Sequence, residues 1–383
     1  MNSNNNKTGY LPALDGLRGL AIILVLGCHF FFKIGIFKLG WIGVDLFFVL
    51  SGYLITSKFI RQPINLDIVK IFYRNRILRI LPLYFAFLLF FMGIWYLLPA
   101  AKAALLYIPS INGYWGKHFF FVQNWMYAFC TSDAEIYSPL MHLWSVAIEE
   151  QFYIFFPLII LILSKTRHKV VLIGVAILLI VFFRSYDFYY HGLSVNKLYY
   201  YCNTFYRLDT FLAGVLLAYL LRDIKNNKYL DIIYGWLLLV SFCGYIFIVS
   251  WYNDLLNDNP LIITIGYTVI AAMFMSLIYF TVLQKSKVLN KIFTNRFLVF
   301  SGKISYGLYI FHFPFDFFKY SILHSYFKFL LRWGHEELVL FLFTCFLIGI
   351  LYLVSYISYT YYERYFLRMK KTYAGAVPII PSV

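Results

Sequence analysis

The sequence predicts an all-α, polytopic integral membrane protein with about ten transmembrane helices and cytoplasmic N- and C-termini. Three observations predict it. Of the 383 residues, 62% are hydrophobic and 13% are charged, where a soluble domain has about half and a quarter. The apolar residues come in runs near the twenty or so that a helix needs to cross a bilayer. They do not form the alternating ten-residue segments of a membrane β-barrel. Finally, Lys and Arg gather in the short connectors between runs, as topology signals do. That placement argues against reading the net charge of +16 as a nucleic-acid surface, so no nucleic-acid partner is expected.

The candidate spans are residues 17–37, 41–60, 78–98, 143–163, 169–189, 205–221, 231–251, 261–283, 299–318 and 338–362. An even count puts both termini on one side. Most of the 33 Lys and Arg fall on that side, which marks it as cytoplasmic. The opening "MNSNNNKTGYLP" has no signal-peptide pattern, so the first run is read as a retained helix. The longest outer connector, Pro99 to Met141, holds "GKHFFFVQNWMYAF", too short and mixed to span; it is read as a re-entrant or interfacial segment or a packed loop. The expected organisation is one transmembrane unit over residues 1–370, a short tail over 371–383, and no appended soluble domain. Five cysteines include no CxxC, which disfavours a metal or redox cluster. Cys130 and Cys202 fall on one face, and a disulfide between them stays open.

Ionisable groups inside membrane spans are costly and therefore point to function. The first span, "LDGLRGLAIILVLGCHFFF", carries Arg18 and His29. Eleven residues make three helical turns plus about 20°, so the two share a face roughly 16 Å apart along the axis. Asp45, in "GVDLFFVLSGYLI", enters the second span at about the depth of His29, where a carboxylate would orient the imidazole. In "HLWSVAIEEQFY", His142, Ser145 and Glu149 form one stripe, and Glu150 points about 100° away. Either glutamate can be the buried one. Arg207 and Asp209 are read as a rim ion pair or an interhelix tether. Tyr306, Tyr309 and His312 form an arc on the ninth span that faces either a cavity or the aromatic core. The inner loop "DIVKIFYRNRILRILPLY" holds Lys70, Arg74, Arg76 and Arg79. These are topology charges or a phosphate-binding patch, since arginine forks match phosphate oxygens bidentately. There is no Walker or dinucleotide glycine pattern, and no His/Asp cluster with ligand spacing, so no metal is expected.

In order along residues 12–315, "LDGLRGLAIILVLGCHF", "GVDLFFVLSGYLI", "RNRILRILPLY", "HLWSVAIEEQFY", "RLDTFLAG" and "ISYGLYIFHFP" together resemble the membrane-bound acyltransferase family 3, the bacterial O-acetyltransferases of envelope sugars. The resemblance implies a multi-pass protein of the bacterial inner membrane, surrounded by membrane lipid. It implies acyl-CoA, usually acetyl-CoA, as a cytoplasmic donor co-substrate with no metal, and an extracytoplasmic glycan or lipid-linked sugar hydroxyl as acceptor. Arg18, Arg76 and Arg79 are the implied coenzyme contacts, and Arg74 belongs to the same patch. His29 is the implied catalytic residue, with Asp45, Glu149 and the Ser305–Tyr306 stretch in support. His142, Ser145, Tyr306 and His312 are placed on the acceptor path. His29 acts either as general base or as a covalent acyl carrier. Some relatives carry an extra outer esterase-like domain; here the transmembrane unit is expected to complete transfer alone. The rival reading is a proton-coupled transporter or flippase using the same buried charges. The chain lacks the paired broken helices and two-fold internal symmetry typical of such folds.

Overall fold

The computed structural model describes residues 10–62, 64–97, 111–130, 138–192, 198–222, 227–252, 259–326 and 336–371, and these form helices with no strand. Sequence expectations for the tail beyond Lys371 lie outside the described residues. The first half comprises α1 (Pro12–Phe30), α2 (Gly43–Phe59), α3 (Leu66–Leu97), two short helices α4 (Ile111–Phe119) and α5 (Gln123–Ala128), and α6 (Trp144–Ser164). There follow α7 (Lys169–His191), a short α8 (Leu198–Cys202), α9 (Thr204–Arg222), α10 (Lys228–Tyr252) and α11 (Tyr267–Val282). The last elements are α12 (Lys287–Phe293), α13 (Arg296–Lys303), α14 (Ser305–Tyr326), α15 (Glu336–Ile357) and α16 (Arg364–Arg368).

Among the described residues, nine helical stretches are long and apolar enough to cross a bilayer. The predicted span 299–318 is the exception. It is divided at Ile304, between α13 and α14. The 22 residues of α14 give roughly 33 Å at 1.5 Å per residue, a spanning length. Its composition is more polar, because it carries His312, Asp316 and Lys319. It packs against both α1 and α15 inside the bundle. By contrast α7 and α10 present Leu178, Phe182, Trp236 and Phe242 outward. Such faces suit lipid, where backbone groups must be satisfied within the helix itself.

Small residues set the two tightest crossings. On α9, a Cβ at Gly214 would sit 2.1 Å from Val49 O, and on α2 a Cβ at Gly52 would sit 2.2 Å from Phe211 O. Glycine lets these backbones touch, as small residues do where membrane helices meet. Gly19 of α1 and Gly302 of α13 make the same kind of approach. Next to the first crossing, Phe211 stacks on both Phe48 and Phe152 with ring centroids 4.4 Å apart. α2, α6 and α9 are thereby locked together, and these three helices carry Asp45, Glu149 and Arg207.

Of the connector read from the sequence as outer, the described residues 111–130 include groups packed into the bundle. Gln123 at the start of α5 is buried and donates to Tyr84 Oη at 3.1 Å and Leu143 O at 2.8 Å. Asn124 is buried too, and donates to Cys202 O at 3.0 Å and Thr204 Oγ1 at 2.9 Å. Buried amides need such partners. No disulfide joins Cys130 and Cys202.

Candidate active site

Two cavities open towards opposite ends of the bundle. The first lies at the end where α1 begins. Its volume is about 100 Å³, and it is lined by Arg18, Lys58, Arg76 and Arg79 together with Glu149 and Tyr306. Each cation comes from a helix end at that face: the start of α1, the end of α2 and the first half of α3. Arg76 and Arg79 are one turn apart, so both guanidinium groups face the same space. Arg18 is bound by Asp15 at 2.8 Å, and Tyr10 Oη donates to the other oxygen of Asp15 at 2.6 Å. Arg76 lies 5.2 Å over the face of Tyr153, a cation–π arrangement. Tyr306 Oη donates to Ile80 O at 2.8 Å, tying α14 to α3 just before Pro82.

Glu149 is the cavity's single lining carboxylate among the described residues. Ser51 Oγ donates to it at 2.5 Å, and Tyr153 Oη donates to the same oxygen. The neighbours Ser51 and Gly52 of α2 serve different ends: Gly52 packs against α9, and Ser51 faces the cavity. At the cavity's inner limit Ser145 Oγ and Tyr309 Oη are 2.5 Å apart.

The second cavity lies at the other end, between the end of α1 and helices α14 and α15. His29, Lys33, Asp316, Lys319 and Glu337 line it, amid Phe313, Phe317 and Phe341. Lys319 is 4% exposed; its ammonium donates to Asp316 at 2.7 Å and to Phe30 O at 3.3 Å, beside His29.

Three imidazoles link the cavities. The His29 ring is 5.0 Å from His312, and His312 is 5.1 Å from His142. The rings of His142 and His312 approach Tyr309 at 5.8 and 5.2 Å. His142 Nε2 is 3.0 Å from Ile310 O, and His312 Nδ1 is 2.6 Å from Tyr309 O. A carbonyl only accepts, so these ring nitrogens donate, and in the neutral imidazoles the opposite nitrogens carry the lone pairs. His142 Nδ1 and His312 Nε2 are buried and have no hydrogen-bond partner among the described residues. They are a pair of acceptors waiting in the seam beside His29.

Several sequence-predicted placements change. Asp45 does not orient His29: its carboxylate accepts from Arg207 at 2.5 Å, with both side chains fully buried. Arg207 and Asp209 are not each other's partners either. Asp209 pairs with Arg184 of α7 at 2.9 Å, and Arg184 also donates to Thr264 O at 2.9 Å. That carbonyl lies in the π-helical turn Ile262–Gly266, where wider backbone spacing accompanies an inserted residue. Of the two sequence readings, a rim pair or an interhelix tether, the structure has the tether: two buried pairs tie α9 to α2 and to α7, between which it sits. Glu149 does not reach His29; it belongs to the basic cavity. Arg74 is exposed and donates to Met369 O at 3.2 Å, outside the cavity lining. Of the residues placed on the acceptor path, Ser145 and Tyr306 line the basic cavity, while His142 and His312 form the seam.

A sequence model described as an acyltransferase domain matches residues 11–360. The chain belongs to the acyltransferase 3 family. A Staphylococcus aureus (strain COL) protein, named for an inferred O-acetyltransferase activity, is 34% identical over 84% of this chain and 52% of its own length. The peptidoglycan O-acetyltransferase OatA of Listeria monocytogenes is 31% identical over 80% of this chain and 49% of its own. The O-acetyltransferase OatA of S. aureus (strain NCTC 8325) is 28% identical over 80% and 50%. The chain thus spans about half the length of the curated relatives it matches. No solved structure matches the chain.

Within this acyltransferase 3 chain the sequence reading missed Lys58, Asp316 and Lys319 as cavity-lining residues. Asp316 and Lys319 left a legible signal, a charge pair at i, i+3 within an apolar stretch. Burial, followed by the positive charges of Arg79, Arg76, Lys58 and Arg18, pushes the Lys370 ammonium down to about 6.

Proposed function

We propose that the chain is a membrane O-acyltransferase. It takes an acyl group, acetyl in the simplest case, from acyl-CoA at the basic cavity and passes it to a hydroxyl of an envelope glycan in the His29 cavity. The observation that carries this reading is the pair of cavities on opposite ends of one bundle, joined through His29, His312 and His142. The clustering of Lys and Arg at the basic end supports placing that end in the cytoplasm of a bacterium. The named activities of the relatives support the glycan acceptor.

The residues fit a polyphosphate donor. Arg18, Arg76 and Arg79 offer planar forks to phosphate oxygens, and Lys58 offers a point charge. Bound there, the donor supplies an activated thioester carbonyl and a thiol leaving group. Phe47, Leu50 and Leu54 provide an apolar wall for its arm. Ser145 and Tyr309 guard the passage towards the seam with hydroxyl groups. His29, in the far cavity, takes the proton of the attacking hydroxyl as general base. The lone pairs of His312 and His142 lie close enough to share that proton through a bridging water. Asp316 and Lys319 fix the end of α1 and present polar groups to the sugar.

The test is transfer of radiolabelled acetyl from acetyl-CoA to glycan by the reconstituted full chain. His29→Ala is expected to lower turnover about 10²–10⁴-fold, the range for loss of a general base, with acetyl-CoA still bound. Turnover equal to wild type would remove His29 from the chemistry. Labelled enzyme accumulating without acceptor would replace the general-base route with covalent transfer.

A further inference from the structure

The end of the described chain is fastened to the bundle. Asn75 Nδ2 donates to Lys371 O at 2.9 Å, and Lys371 N donates back to Asn75 Oδ1 at 3.0 Å. Arg74 donates to Met369 O at 3.2 Å. Tyr362 Oη donates to Pro82 O at 3.1 Å. These bonds lay the segment after α15 along α3, on the same helix that supplies Arg76 and Arg79.

Lys370 lies between the two clamped residues. Both flanking residues are hydrogen-bonded to Arg74 and Asn75, which holds the Lys370 backbone beside α3, one to two turns from Arg76 and Arg79. Its half-buried ammonium lies within electrostatic reach of Arg79 and Arg76 from α3, Lys58 from α2 and Arg18 from α1. An unclamped lysine beside four cations would swing into water, where its charge is screened. The clamp opposes that escape, and the chain spends four hydrogen bonds on it. A coenzyme carries a diphosphate and a separate ribose phosphate, two anionic groups at different places along one molecule, so a cation beyond Arg18, Lys58, Arg76 and Arg79 has a ligand to serve.

The geometry points to Lys370 as a phosphate-binding residue for the acyl-CoA donor, set in place by an Arg74–Asn75 clamp on α3. The inference rests on the reading of the basic cavity as the donor site. It gives Arg74 a role: it holds the segment that holds the ligand.

The test is titration of the purified full chain with acetyl-CoA by calorimetry, near pH 7, in two buffers of different ionisation enthalpy. Lys370→Met is expected to weaken binding about tenfold or more, the worth of one charge-assisted hydrogen bond. Lys370→Arg should stay within about threefold of wild type. Asn75→Leu should weaken binding alone and add little on top of Lys370→Met. Wild type should take up a proton on binding, because phosphate oxygens favour the charged lysine that its cationic neighbours disfavour. Lys370→Met should lose that uptake while melting at the wild-type temperature. Equal affinity and equal proton uptake in Lys370→Met would overturn the inference. Failure of wild type to bind acetyl-CoA at all would instead overturn the donor-site reading beneath it.

Discussion

Asp45 and Arg207 offer a direct test of structure against chemistry. If Asp45 is a tether, its loss should be repaired by removing its partner; if it served His29, it should not. Both side chains have zero exposure and their closest atoms are 2.5 Å apart. The guanidinium also lies 4.0 Å over Tyr267 and 5.2 Å over Tyr201. Asp45→Leu therefore strands a cation in an aromatic box, which costs about 3–5 kcal/mol for a broken buried pair. Arg207→Met strands the carboxylate, with a similar cost. Asp45→Leu with Arg207→Met removes both charges at roughly constant volume and should recover most of that loss, since such replacements are often neutral or stabilising. The coupling expected from the cycle is about 3 kcal/mol or more, favouring the double variant over the sum of the singles. The assay is denaturant or thermal unfolding in detergent, with acetyl transfer measured on the same samples. A double variant that folds as wild type but transfers no better than His29→Ala would refute the tether and return Asp45 to the catalytic step.

Gly214→Val must displace Val49 O and Tyr53 N, which lie 2.1 and 2.6 Å from the new Cβ. It should destabilise the α2–α9 crossing by about 1–3 kcal/mol as overpacking does, read as a lowered melting temperature. Tyr153→Phe keeps the ring under Arg76 and should leave acetyl-CoA affinity within about twofold, whereas Tyr153→Leu should weaken it about two- to fivefold through the lost cation–π contact. Equal affinities for the two variants would show that the ring face contributes nothing. Lys319→Met leaves Asp316 uncompensated in the His29 cavity. It should raise the KM for the glycan without changing that for acetyl-CoA; a change confined to acetyl-CoA would misplace the acceptor site.

What the sequence could and could not reveal follows from how local each cause is. Hydropathy is a property of twenty neighbouring residues, so the long apolar helices were legible. The α14 stretch was harder, since Asp316 and Lys319 blur its end. Arg18, Arg76 and Arg79 were legible as a set because helix geometry and the bias of Lys and Arg to one side both put them at one face. The partner of Asp45 was not legible. Asp45 lies at about the depth expected for His29, but depth does not say which helix lies alongside, and the neighbour is Arg207, 162 positions away. Arg74 shares α3 with Arg76 and Arg79, yet α-helical phase turns it outward to Met369. Lys370 depends on a contact between α3 and a segment 296 positions further on, which no local pattern encodes.

The distribution of counter-charges separates the structural ions from those meant for a ligand. Arg184 and Arg207 each hold an aspartate at 2.9 and 2.5 Å, away from both cavities. Among the described residues, Arg18 alone of the basic-cavity cations has such a partner, and the one lining carboxylate, Glu149, is engaged by Ser51 and Tyr153. Like charges crowded in a partly buried space repel through a low effective dielectric. That cost is borne by the folded state when the cavity is empty and relieved when anionic oxygens enter. The empty protein should therefore be stabilised by salt, which screens the repulsion, while saturating acetyl-CoA should add about 2.7 kcal/mol at a hundredfold excess over its Kd. High salt should shrink that ligand gain, because it removes part of the repulsion in advance. If added salt instead destabilises the empty protein, the cations are compensated already and the cavity was not built around an anion.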